Sequence, residues 1–134
     1  MELPWLSRWQ PQLLAILRIA VGLLFVEHAT QKFFAFPAPF PVHPLPTMFV
    51  VAGIIELVCG ALMTVGLFTR LAAFIASGEM AVAYFTRHLP KGFWPVTNMG
   101  EGAILFCFIF LYLAAAGAGA WSIDEARLRK ARIR

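Results

Sequence analysis

The chain has 134 residues, of which 60% are hydrophobic and 13% are charged. Soluble globular proteins contain about 45–50% apolar and about 25% charged residues, so this composition excludes an ordinary soluble domain and also a disordered chain. Five of the eleven basic residues fall in the last eight positions, so the net charge of +4 indicates a basic tail that meets the membrane surface. The composition predicts an integral membrane protein with no nucleic-acid partner.

Four apolar runs are each long enough to be a membrane-spanning helix, which needs about 20 apolar residues. The predicted spans cover about 12–36, 48–68, 70–88 and 97–118, and a basic tail follows at 121–134. Five prolines lie between positions 37 and 46, and they exclude a helix between the first two spans. We therefore expect residues 1–134 to form one domain, an all-α, left-handed four-helix membrane bundle.

An even number of spans places both termini on one side of the membrane. Eight lysine and arginine residues would lie on that side and three, Lys32, Arg87 and Lys91, on the other. Basic residues are enriched in cytoplasmic segments, so this bias predicts that the N and C termini are cytoplasmic.

Four of the seven acidic residues lie inside the apolar runs, one in each: Glu27, Glu56, Glu79 and Glu101. Carboxyl groups at membrane depth usually face a bundle interior or a wet cavity. Counted inward from the outer end of each span, all four lie at a similar level, roughly 10–13 Å deep. We expect the four acids to meet and to face protein.

The helical periodicity places other polar or small residues on the faces that carry these acids. In the first span Glu27, His28, Gln31 and Lys32 form one polar arc, and in the fourth Asn98 precedes Glu101 by one turn. Small residues share the acid's face in the two middle spans, where they allow close helix packing: Gly53 and Gly60 beside Glu56, and Ala72 and Ala76 beside Glu79.

A cluster of carboxyl, histidine and lysine side chains at this depth indicates a proton-handling pocket for a quinone. We expect Glu56, Glu79, Glu101 and His28 to be its catalytic residues. The residues expected to contact the quinone are Gln31, Lys32, Asn98 and Glu27. The equally weighted alternative is a hydrogen-bonded polar core that fixes the helix register and has no chemistry.

Metal and haem sites are not expected. No Glu-x-x-His pair of a di-iron bundle follows any of the four acids, and no second buried histidine matches His28. The two cysteines form neither a CxxC nor a CxxCH motif.

Several segments, in this order and spacing, resemble the successive motifs of the DoxX family of small four-helix bacterial membrane proteins. These segments are Leu17-Arg18-Ile19-Ala20 with Gly22, His28 with Gln31-Lys32-Phe33, Gly53 with Ile55-Glu56-Leu57 and Gly60, Gly66-Leu67-Phe68-Thr69-Arg70-Leu71, Glu79-Met80 with Ala83-Tyr84, His88-Leu89-Pro90-Lys91-Gly92-Phe93-Trp94-Pro95, Asn98-Met99-Gly100-Glu101, and Gly117-Ala118-Gly119-Ala120-Trp121-Ser122-Ile123-Asp124.

The resemblance implies a multi-pass protein of the bacterial plasma (inner) membrane, related to the small subunit of a thiosulfate:quinone oxidoreductase. The polar residues that match the family are His28, Gln31, Lys32, Glu56, Arg70, Glu79, Asn98 and Glu101. Glu27 stands where the family more often has an apolar residue, and Ala118 and Ala120 depart from its usual glycine-proline-glycine-arginine ending.

Three functions follow from the residues and the resemblance together. The leading one is a membrane subunit of a quinone-linked oxidoreductase system. The second is a non-enzymatic membrane anchor or assembly factor for a redox or thiol-detoxifying enzyme partner. The third is a small-molecule or proton-coupled carrier, for which four helices would have to form a homo-oligomer.

Overall fold

Prolines lie at both ends of the first long helix: Pro11 lies in its opening turn, and Pro37 follows three residues after its last residue. The computed structural model describes residues 3–133, so the last residue of the predicted tail, Arg134, lies outside the described residues. Within that range the chain is helical and contains no strand. A short helix α1 (Pro4–Ser7) precedes α2 (Gln10–Phe34), which ends where Ala35 adopts a left-handed conformation with φ 53°.

The next two helices are joined by a tight turn. Helix α3 (Thr47–Val65) ends at Gly66, whose φ of 70° suits a residue without a side chain, and α4 (Thr69–Ala83) begins three residues later. The backbone N–H of Leu67 donates to the carbonyl of Leu62 at 2.9 Å, which satisfies one of the last carbonyls of α3. So short a turn makes α3 and α4 antiparallel neighbours.

The third and fourth predicted spans are less regular than the sequence suggested. Helix α4 widens into a π-helical turn at Tyr84–His88, within the predicted span 70–88. The predicted span 97–118 is broken at its start into α5 (Pro95–Asn98) and α6 (Glu101–Ala116). Met99 between them has a left-handed φ of 59°, which an uninterrupted helix does not allow. The last helix of the described residues is α7 (Ile123–Arg132).

The four long helices α2, α3, α4 and α6 share one hydrophobic core. Phe25 of α2, Met63 of α3 and Phe110 of α6 are fully buried in it, together with alanines of α4 such as Ala76. The rings of Phe25 and Phe110 meet edge to face at 4.8 Å between centroids.

Helices α2 and α3 approach each other closely through glycine. A Cβ atom placed on Gly60 would lie 2.9 Å from the carbonyl oxygen of Gly22 and 2.8 Å from Cγ2 of Val26. Such contacts leave no room for a methyl group, so the glycines set the distance between the two helices.

The outer surface of these helices is apolar. Helices α2 and α3 are long and apolar enough to cross a membrane, and α6 is apolar but shorter. Phe74 of α4 and Phe108 of α6 are 63% and 65% exposed, and many aliphatic side chains beside them are also exposed. Soluble proteins rarely expose an apolar surface of this extent, whereas lipid tails cover it.

The fold has two chemically different ends. We call the end with α1, residues 66–68 and α7 the termini end, and the end with residues 35–46 and 84–100 the loop end. At the termini end the buried guanidinium of Arg18 donates to the carbonyls of Met63, Thr64, Ala118, Ala120 and Trp121 at 2.5–3.3 Å. The side chain thereby ties α2 to the end of α3 and to the chain that leads into α7.

Candidate functional site

A cavity of about 600 Å³ opens at the loop end, between α2, α3, α4 and α6. Its walls include Phe49, Met80 and Phe106, and Phe40 and Pro41 of the proline-rich loop also line it. The polar and charged side chains that line it are His28, Lys32, Glu56, Glu79, Thr86, Arg87, His88 and Lys91. A mostly apolar cavity with a few convergent polar groups is the usual form of a small-molecule site.

Lys32 of α2 and Glu56 of α3 form a buried ion pair in the wall of the cavity. Nζ of Lys32 lies 2.8 and 2.7 Å from the two carboxylate oxygens of Glu56, and the residues are 9% and 3% exposed. The same Nζ also donates to the carbonyl of His28 at 3.4 Å. Because Glu56 holds Lys32 with both oxygens, the two charges neutralise each other inside the protein.

Gly53 makes room for this pair. A Cβ atom at Gly53 would lie 2.6 Å from the ring of Phe33 and 3.4 Å from Cδ of Lys32. Since Gly53 precedes Glu56 by almost one turn of α3, the gap lets the lysine stem pass between the helices and reach the carboxylate.

Glu79 of α4 lines the same cavity and is half-buried. Its Oε2 atom is buried and has no hydrogen-bond partner among the described residues. An unsatisfied buried oxygen costs free energy, so a ligand or a water that forms a hydrogen bond with it would be favoured: a protonated carboxyl donates, and an ionised one accepts. Glu79 is therefore the acid in this cavity whose carboxyl is available to a ligand.

His28 lies at the edge of the cavity and is exposed, although the sequence predicted that it would be buried. Its ring meets Phe106 edge to face at 6.1 Å between centroids. The position leaves the imidazole in reach of a ligand at the cavity edge.

Glu27 and Glu101 do not join the other two acids, so the prediction that all four meet and face protein is wrong for this pair. Both residues are exposed, and neither lines the cavity. Glu27 lies five residues before Lys32, and at 100° per residue its side chain leaves α2 about 140° away from that lysine. Glu101 is the first residue of α6, where a carboxylate is stabilised by the helix dipole without a partner.

Gln31 and Asn98, the remaining predicted ligand contacts, also lie outside the lining of the cavity. Gln31 is half-buried, whereas Asn98 is buried and shapes the chain before α6. The Asn98 amide donates to the carbonyl of Gly92 at 2.8 Å, and its Oδ1 accepts from the N–H of Gly100 at 2.8 Å. Asn98 thus fixes the break between α5 and α6.

Two side chains at the termini end bind backbone groups that the sequence analysis did not identify. Arg18 lies at the end opposite to the cavity, where its guanidinium donates to backbone carbonyl groups. Asp124 accepts from the N–H groups of Phe68 and Thr69, both at 2.9 Å, and so caps the start of α4 from α7. The glycines at 117 and 119 favour a non-helical chain whose carbonyls need donors from elsewhere. They were the sequence signal from which the role of Arg18 could have been predicted.

Among residues 3–133 no group of three or more histidine, cysteine, aspartate and glutamate side chains is arranged to hold a metal ion. The polar groups that line the cavity are the Glu79 carboxyl, the Lys32–Glu56 ion pair, the imidazoles of His28 and His88, the Thr86 hydroxyl, and the cations Arg87 and Lys91.

Comparison with known proteins identifies the family to which this sequence belongs. The model of the DoxX family matches residues 13–89, which is more than half of the chain. The chain belongs to the DoxX family. The proteins of this family are membrane proteins, in agreement with the apolar outer surface of α2 and α3. The residues of the ion pair and Glu79 lie within the matched segment.

A full-length relative also exists in Haemophilus influenzae. It is 44% identical over 131 residues and carries the name "Uncharacterized protein". The alignment covers 93% of this chain and 98% of the relative. No solved structure matches the chain.

Proposed function

We propose that this DoxX protein is the membrane subunit of a quinone-linked oxidoreductase system, with the quinone headgroup bound in the loop-end cavity. The observation that carries the proposal is the buried Oε2 atom of Glu79, which has no hydrogen-bond partner within residues 3–133, in a cavity that is otherwise largely apolar. A cavity of about 600 Å³ accommodates a ring system of one or two rings with part of its tail.

The residues of the cavity have distinct roles in this proposal. A quinone takes up two electrons and two protons when it is reduced to the quinol. When Glu79 is protonated, its O–H donates to the headgroup oxygen of the quinone; as a carboxylate it accepts from the O–H of the quinol, and it exchanges this proton with the water at the loop end. Lys32 and Glu56 hold α2 and α3 together beside the ring, and His28 contacts the headgroup from the edge. The electrons come from a partner enzyme.

The proposed setting is the bacterial plasma membrane, crossed by α2, α3, α4 and α6 as a four-helix bundle with both termini in the cytoplasm. The basic side chains of α7 and Arg8 lie at the termini end, whereas the loop end carries fewer cations. The positive-inside rule then places the cavity on the outer side of the membrane.

A second candidate function is a non-enzymatic anchor or assembly factor for a redox partner. Helix α7 favours it, since the helix has no buried residue and carries Arg127, Arg129, Lys130 and Arg132. Asp124 fixes α7 against the start of α4, so these cations form a rigid surface that fits an acidic patch on a soluble protein.

Equilibrium dialysis of the purified protein against 2-methyl-1,4-naphthoquinone tests the proposal. Glu79→Leu removes the polar contact, and the affinity is expected to fall about tenfold, which corresponds to a hydrogen bond worth about 1.4 kcal/mol. Glu27→Leu, the same change at an exposed acid outside the cavity, is expected to leave the affinity unchanged. Equal binding by wild type and Glu79→Leu, or no binding by either, would overturn the quinone site and favour the anchor.

A further inference from the structure

The mouth of the loop-end cavity carries two cations that form no ion pair with the acids of the described residues. Arg87 and Lys91 line the cavity, and within residues 3–133 no carboxylate lies within 4 Å of either charge. The acids that line the same cavity are Glu56, which is held by Lys32, and Glu79.

These cations and Glu79 lie at different depths. Arg87 follows Glu79 by eight residues along α4 and its π-helical extension, which corresponds to about 12 Å at 1.5 Å per residue. The cavity therefore has an acid in its inner part and positive charge at its mouth. A single ring system with a substituent is long enough to meet both.

Aromatic contacts fix the position of Arg87. Its guanidinium carbon lies 4.4 Å from the ring centroid of Phe49, and Phe40 packs edge to face on Phe49 at 5.1 Å. Nζ of Lys32 lies 5.3 Å from the ring centroid of Phe40 on the inner side. The two rings thus form a roof between the buried ion pair and the mouth, with the arginine held at its outer edge.

We infer that the natural ligand of this cavity is an anion, in which a flat apolar ring lies below the Phe40–Phe49 roof and a negatively charged group meets Arg87 and Lys91. A neutral quinone would fill the inner part and leave both cations without an anionic partner. The inference rests on the proposed ring-binding site and adds the charge of the ligand. The phosphate of an outer-leaflet lipid offers the same anionic chemistry, so the test separates the two sources.

The test compares two naphthoquinones of nearly equal size in discs of neutral lipid. One is 2-hydroxy-1,4-naphthoquinone, which is an anion at neutral pH, and the other is the uncharged 2-methyl-1,4-naphthoquinone. Wild type is expected to bind the anion about fivefold or more tightly, the size of a partly exposed charge contact. The double variant Arg87→Gln with Lys91→Gln is expected to bind both compounds with the affinity that wild type shows for the uncharged one.

Two control variants test whether the charge at the cavity mouth causes the preference. Arg87→Lys retains the charge and is expected to keep the preference for the anion, whereas Arg8→Gln, at the termini end, is expected to change neither affinity.

Equal affinities for wild type, or a preference that survives in the double variant, would overturn the inference and leave the proposed quinone site standing. If anionic lipid in the discs abolishes the preference, the mouth serves lipid phosphate and the inference is also overturned. Absence of binding by either compound would overturn the proposed function itself.

Discussion

Lys32 and Glu56 place two opposite charges in an environment that neither could occupy alone. Both oxygens of Glu56 contact Nζ of Lys32, and the residues are nearly inaccessible. Moving a charge out of water costs several kcal/mol, and a close partner offsets that cost only while both members are present. The pair therefore determines how α2 and α3 fit together at the cavity more than it adds to stability.

The pair is expected to show strong coupling between its members. Lys32→Met or Glu56→Leu alone leaves one buried charge uncompensated and should lower the free energy of unfolding by about 3–5 kcal/mol. The double variant removes both charges and should recover most of that loss, because apolar side chains of similar volume replace the pair. Unfolding in mixed detergent micelles, followed by circular dichroism, gives the three values. A double variant whose loss equals the sum of the single losses would contradict this interpretation of the pair.

Asn98 and Glu79 show why residue type alone did not assign roles. Both are polar residues in apolar surroundings, yet the Asn98 side chain donates to the carbonyl of Gly92 and accepts from the N–H of Gly100, and so shapes the backbone. Glu79 keeps an oxygen without a partner among the described residues. The difference depends on local backbone geometry, which the periodicity of the sequence does not contain.

At the scale of the helices, glycine position decides how closely two elements pack. Gly22 and Gly60 face each other across α2 and α3 with no space for a methyl group. Gly78 of α4 is exposed, and a Cβ atom there would have no atom within 4 Å. The same residue type thus serves helix contact at one site and contributes nothing to packing at the other.

Substitution by alanine should therefore have opposite effects at the two sites. Gly60→Ala is expected to destabilise the protein by about 1–3 kcal/mol, because α2 must move away from α3. Gly78→Ala is expected to stabilise it by up to about 1 kcal/mol, the difference in helix propensity between the two residues. Thermal unfolding in one detergent compares the variants directly. A shift of both in the same direction would mean that close contact at Gly60 does not hold α2 and α3 together.

The helix faces could be predicted from the sequence where small residues and an acid share one stripe. Gly53, Glu56 and Gly60 are all buried in α3, and Ala72 and Ala76 are buried in α4, as the periodicity indicated. The rotation of α2 could not be predicted, because its polar arc spans about 140° and either edge could face inward. Contact with Phe33 and the gap at Gly53 turn Lys32 inward and leave Glu27 outside.

At the scale of the whole molecule, the two ends differ in how their polar groups are satisfied. The termini end is closed by interactions that satisfy backbone groups: Arg18 binds carbonyls, Arg70 donates to the carbonyls of Ala114, Ala115 and Ala116, and Asp124 caps α4. The loop end has an open cavity with a carboxyl oxygen and two cations that find no hydrogen-bond or acidic partner, respectively, in the part of the chain that the structure describes. We interpret the first end as structural and the second as functional.

This division could not be derived from the sequence, because it depends on contacts between residues far apart in the chain. Arg18 and Ala118 are separated by 100 positions, and their hydrogen bond of 2.7 Å requires the chain after α6 to return to the start of α2. Composition and hydropathy indicated the membrane class and the helical fold, since both depend on local runs of residues. They did not show at which end the buried charges would find partners.

Photoaffinity labelling with an azido-substituted naphthoquinone tests most directly whether the loop-end cavity is the ligand site. The structure predicts adducts on residues that line the cavity, such as Met80 and Phe106, and loss of these adducts when unlabelled quinone is added in excess. Peptide mass spectrometry locates the label. Adducts that spread over lipid-facing residues such as Phe74 and Phe108, and that excess quinone does not displace, would contradict a quinone site in this cavity.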